Sequence, residues 1–270
     1  MIRAVALCFA VAIAPVMASA DANFTRLYDA LEMDAYIGIT REEGMDDFGP
    51  LSQDMLGQDP DTVLTEQVKE IYDPARMRNT VETEMQKSLT GNQIEGAVLF
   101  FTSATGQRIV ELELAARRAM TDPSVEEAAR HAWALAEEEK PWMVARIKDL
   151  VEASDLVDRN VAGALNSNLR FYEGLADGGS LQLSESEMLT EVWAQEPSIR
   201  EDTADWIGAY LLLSYQPLSD ADIHAYITFW RSPPGKALNA AMFEGFNQLY
   251  DDISYATARI LALRIGSQEL

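Results

Sequence analysis

Few side chains in this sequence are suited to metal chemistry. There are two histidines, His131 and His224, and each has a carboxylate four residues earlier, Glu127 and Asp220. On a helix each pair presents two ligands from one face. Zinc needs three or four protein ligands in defined geometry, and no spacing brings the two histidines together, so neither a metal nor a cofactor is expected. The one cysteine, Cys8, lies in the first twenty residues and leaves the remainder without a thiol nucleophile. Acid and base catalysis has no distinctive signature. With 44 acidic residues, runs such as Asp46-Asp47 or Glu137-Glu138-Glu139 are what a solvated acidic surface produces. No nucleophile elbow, phosphate-binding glycine loop, dinucleotide fingerprint or EF-hand loop is present, and no catalytic residue is assigned.

The segment Phe229-Trp230-Arg231-Ser232-Pro233-Pro234-Gly235-Lys236 supports two readings. In one, Arg231 and Lys236 flank the start of a helix, where an anion or an acidic partner is favoured. In the other the segment is structural: the aromatic rings pack, Ser232 caps a helix, Pro233 takes its first position and Gly235 lets a neighbouring chain approach. An upstream counterpart, Phe100, Phe101, Ser103 and Gly106, keeps the packing residues and lacks both cations. That favours packing as the shared role and restricts anion binding to the second segment.

The elements that position these residues are helices. Ile223, Tyr226, Ile227 and Trp230 fall at i, i+3, i+4 and i+7, one face of a helix starting near Asp220, with Ser219 as N-cap and Asp222 completing a capping box. The helix after Ser232 would turn Leu238, Ala241, Met242, Leu249, Ile253 and Ile260 inward. Residues 89–107 repeat the pattern of 218–236 at a constant offset of 129, with Leu89, Ile94, Phe100, Ser103 and Gly106 identical to Leu218, Ile223, Phe229, Ser232 and Gly235, and Thr90 with Gln93 repeating the capping box. Leu64-Thr65-Glu66 and Leu189-Thr190-Glu191 extend the match upstream. The expected fold is therefore all-α, a helical bundle built from two diverged repeats of a multi-helix unit, residues 21–140 and 141–270, joined at Lys140-Pro141. Asp122 to Glu139 forms an extra helix, Val144 to Tyr172 one long helix, residues 177–180 a loop, and Arg41 to Pro60 the least regular stretch.

Residues 1–20 read as a signal peptide: Arg3, an apolar stretch to Met17, and the small residues Ala18-Ser19-Ala20. They point to export to the periplasm. Beyond them the longest apolar block, Trp206 to Tyr215, is about half of a membrane span. Residues 21–270 hold 20 basic against 44 acidic residues, a formal charge of −24. On that balance nucleic acid is a poor partner and anionic lipid surfaces are disfavoured. A composition of 48% hydrophobic and 24% charged residues is that of a globular chain with a real core.

The stretch Leu218-Ser219-Asp220-Ala221-Asp222-Ile223, continuing through Ile227 and Phe229 to Lys236, resembles the bacterial, mostly periplasmic helical family catalogued as domain of unknown function two-zero-five-nine. That family is marked by an aromatic pair followed by x-Ser-Pro-x-Gly-Lys. The second unit carries the clearer motif; the first has Ala104 for the proline and Gln107 for the lysine. The resemblance implies export and an all-helical fold and supplies no catalytic residue. The leading expectation is an exported, non-enzymatic helical module that binds a protein, peptide or envelope component through a groove or face formed by its two units. The alternatives are a cell-envelope enzyme using carboxylate acid and base chemistry, with Arg231 or Lys236 holding an anionic group, and a structural protein that scaffolds others or forms homo-oligomers.

Overall fold

A computed structural model describes residues 14–268. The expected signal lies largely outside them, since helix α1 begins at Ala14. The described residues form thirteen helices and no strand: α1 (Ala14–Ala30), α2 (Met33–Leu56), α3 (Thr62–Ile71), α4 (Pro74–Ser88), α5 (Gly91–Phe101), α6 (Ala104–Ala119), α7 (Pro123–Glu139), α8 (Pro141–Ser154), α9 (Leu156–Asp177), α10 (Glu185–Ala194), α11 (Glu196–Tyr215), α12 (Asp220–Arg231) and α13 (Pro233–Gln268). None of the described helices is long and apolar enough to cross a membrane.

Local chemistry sets most boundaries. Asp61, Asp73, Asp122, Ser184 and Ser219 each accept a backbone N–H at a helix start, and Pro74 and Pro123 stand where a missing N–H costs nothing. Helix α13, 36 residues and about 54 Å long, is the spine of the molecule. It packs along α9 and α4 and also touches α2, α3, α5 and α12. Against α9 the approach is close enough that a Cβ on Gly174 would run into the backbone of Tyr255 and the methyl of Ala258. One buried cluster runs from Phe24, Leu27 and Met33 through Met77, Phe101, Ile109 and Ile147 to Leu212, Trp230, Leu238 and Ile253. Lys140 is a single-residue link between α7 and α8, and buried residues on both sides of it enter this same core.

Three expectations are corrected. The single helix from Val144 to Tyr172 is two helices, broken where Asp155 takes a left-handed conformation at φ 53°. Aspartate tolerates that region, and the Ser154 carbonyl freed by the break is met by the buried Asn239 side chain, whose Nδ2 donates to it at 2.7 Å. Residues 41–56, expected to be irregular, are helical in α2 despite Pro50. The helix is held from outside: Ile37, Phe48 and Ser52 are buried on one face, and Gly44 leaves space for the ring of Tyr72. The upstream extension of the repeat fails as well, because Leu64 is core whereas Leu189 is exposed.

Candidate functional site

The motif residues build two helix elbows of the same local design, one joining α5 to α6 and the other joining α12 to α13. In the first, Ser103 Oγ accepts from the Gly106 N–H at 3.1 Å and donates to the Phe100 carbonyl at 2.6 Å. In the second, Ser232 Oγ accepts from the Gly235 N–H at 3.2 Å and donates to the Phe229 carbonyl at 2.6 Å. A Cβ at Gly106 or Gly235 would collide with the carbonyl oxygen of Phe100 or Phe229. That backbone cannot move without opening the elbow. Gly235→Ala is expected to lower stability toward the upper end of about 1–3 kcal/mol, the usual cost of overpacking. Urea denaturation checks this, and an unshifted midpoint would show the elbow to be soft.

The elbows meet face to face. Phe100 stacks on Phe229 with centroids 4.5 Å apart and planes 15° from parallel, and Phe101 sets its edge against Phe229 at 5.1 Å. Trp230 lies 6.2 Å from Phe101 and 5.5 Å from Tyr226. Thr105 Oγ1 donates to Asp222 Oδ1 at 3.0 Å, and the Pro234 ring rests on Gly96. These contacts fill the space where a cleft between the two motif helices would lie, so the groove expected between the units is not formed there.

Arg231 and Lys236 are exposed. The start of α13 offers them no backbone help with an anion. Pro233 and Pro234 have no N–H, the Gly235 N–H is taken by Ser232 Oγ, and the Lys236 N–H is taken by the Ser232 carbonyl. His131 and His224 are on different helices, α7 and α12. Asp220, the partner proposed for His224, is held instead by Arg146 at 2.7 Å. Among the described residues no group of three or more His, Cys, Asp or Glu is arranged to hold a metal ion.

Two features escaped the reading of the sequence. The first is a groove between α9, α10 and α11, a cavity of about 220 Å³. Its floor is Val161, Leu165 and Val192, all buried, and its wall carries Leu189 at 38% and Trp193 at 64% exposure. Helix α10 spends Met188 and Val192 on packing, which leaves Leu189 and Trp193, one position further round, facing outward. The sequence signal was the double stripe at 188, 189, 192 and 193, wider than one helix contact requires. At one end Arg200 is shared by two carboxylates, with Nε 2.6 Å from Glu196 and Nη1 2.5 Å from Asp158.

The second is Glu113 on α6, between Ile109, Val110 and Leu114 on the helix's buried face. Tyr215 and Tyr226 donate their hydroxyls to its Oε1, the latter at 3.0 Å, and Tyr36 adds a third bond. Tyr210 donates to the Glu113 main-chain carbonyl at 3.2 Å. Part of the residue reaches the surface, but its carboxyl group is densely surrounded by protein. That desolvation raises its pKa from 4.5 to about 7, against the pull of the three tyrosine bonds. No salt bridge among the described residues reaches it, and it lines neither the groove nor the other two cavities described, of about 460 and 300 Å³. Helices α2, α6, α11 and α12 thus converge on one acid that has no cationic partner among the described residues.

No curated protein and no solved structure matches the chain. A family model does match, over residues 75–134, which run from α4 through the first elbow into α7. The match lies within the first of the two units expected from the sequence. The match falls on the elbow that lacks the proline and lysine of the motif, in a segment where caps and buried helix faces are intact. Over those residues the chain is similar to the bacterial family described as "Uncharacterized protein conserved in bacteria (DUF2059)".

Proposed function

We propose that this protein is an exported, non-enzymatic binding module of the bacterial periplasm, and that its docking surface is the groove between α9, α10 and α11. The observation that carries the reading is Trp193. A large aromatic side chain left 64% exposed beside a concave apolar floor is the pattern of a recognition site, since such residues contribute most of the energy at interfaces. Export rests on the character of residues 1–20. We read the two elbows as diverged copies of one helical unit, supported by the shared serine and glycine geometry and by the stacking of Phe100 on Phe229. In this reading their role is to lock the halves together, and the groove on the second half does the binding. Glu113, enclosed by tyrosines away from the described cavities, is structural.

The test is retention of periplasmic components by the immobilised full chain, compared with a Leu189→Asp/Trp193→Asp variant. Both positions are exposed, so the variant should melt as the parent does. A component held by the parent and lost by the variant is the expected result. Identical retention by both would overturn the groove as the binding site.

A further inference from the structure

We infer that the occupant of the α9–α11 groove is a cationic amphipathic helix. The inference rests on the groove being the binding surface and adds the chemistry of the partner. Three observations carry it.

The first is shape. The groove follows α9 from Asp158 to Leu169, about 17 Å at 1.5 Å per residue, or three turns of a helix laid alongside. Its floor and wall are aliphatic and aromatic, which suits residues spaced i, i+3, i+4 and i+7 on a guest helix. The second is the absence of main-chain partners. The described residues contain no strand, so no sheet edge is on offer to an extended peptide, whose affinity depends on backbone hydrogen bonds.

The third is charge. Asp158 and Glu196 share the single guanidinium of Arg200, and Glu185 lies one turn before Leu189 on the exposed face of α10 without an ion pair of its own among the described residues. Two lining carboxylates against one cation leave the groove negative, and Glu185 adds a third carboxylate one helical turn from Leu189, on a chain whose formal charge is −23 overall. An acidic helix would meet like charge on entering, while lysines or arginines flanking an apolar stripe would meet carboxylates. Trp193, standing in the wall, also offers its ring face to such a cation.

The experiment uses the full chain and two designed helical peptides with the same leucine stripe, one carrying lysines and the other glutamates on the polar face. Binding is followed by calorimetry at low and high salt, with the parent, Trp193→Ala and Glu185→Lys. The expected result is binding of the lysine peptide at least about tenfold tighter than the glutamate peptide, since like charges across an interface are strongly disfavoured. Trp193→Ala should abolish that binding, and Glu185→Lys or added salt should weaken it. Equal binding of both peptides, lost in Trp193→Ala, would keep the groove as a binding surface and overturn the cationic partner. Binding of the lysine peptide that is indifferent to Trp193→Ala would be attraction to the acidic surface at large and would overturn both. So would failure of both peptides to bind.

Discussion

At pH 8, Glu113→Gln should stabilise the protein by about 3 kcal/mol, and near pH 4 parent and variant should be equally stable. The size follows from the distance between the ordinary carboxyl value of 4.5 and the folded value of about 7. The sign follows from proton binding. Between those two values the folded chain holds a proton on Glu113 that the unfolded chain has released, so the contribution of Glu113 to stability is complete below 4.5, falls as pH rises, and is lost above 7. A glutamine in its place would keep an acceptor for the tyrosine hydroxyls and carry no charge. Burial also raises Glu43, beside Arg117, in the same direction, and relief of negative charge favours the folded chain in acid generally. The difference between parent and variant isolates Glu113 from both. Chemical denaturation across pH 4 to 8 gives the two curves. A variant less stable than the parent at pH 8 would show that the three tyrosines stabilise the carboxylate by more than its burial costs.

Trp230→Ala should cost about 3–5 kcal/mol, the range for removing a large aromatic from a core. Trp230 is 8% exposed and sits among Phe101, Tyr226 and Phe229, where both elbows meet. Its loss would leave a void bordered by stacked rings fixed to two backbones that cannot close, because Gly106 and Gly235 already press on the carbonyls of Phe100 and Phe229. Trp193→Ala is the matched control. That side chain is 64% exposed, and its removal should change stability by no more than about 0.5 kcal/mol. Guanidinium denaturation of the two variants separates a tryptophan that holds the fold from one available to a partner. A loss below about 1 kcal/mol at Trp230 would mean that the aromatic cluster repacks, and that the elbows do not form a rigid joint.

The residues that determined their own structure did so through neighbours within a turn or so. Ser219 with Asp222, Ser232 before Pro233 and Asp122 before Pro123 mark helix starts because each cap bond spans two or three residues, and the faces carrying Ile223, Tyr226 and Ile227 follow from helical period alone. Two prolines in succession also remove N–H donors from the start of α13, a local fact that the reading of Arg231 and Lys236 as anion contacts left out of account. Glu113 was half legible: its place on an apolar face was visible, whereas its tyrosines come from α2, α11 and α12. What only the tertiary structure decided are contacts between distant segments. Phe100 finds Phe229, Asn239 closes the break after Ser154, Tyr72 packs on α2 at a glycine, and α10 docks on α9 with Trp193 outward. A cap contributes about 1 kcal/mol and depends on adjacent residues. Which apolar faces meet depends on burying them all at once, and that choice belongs to the folded chain as a whole.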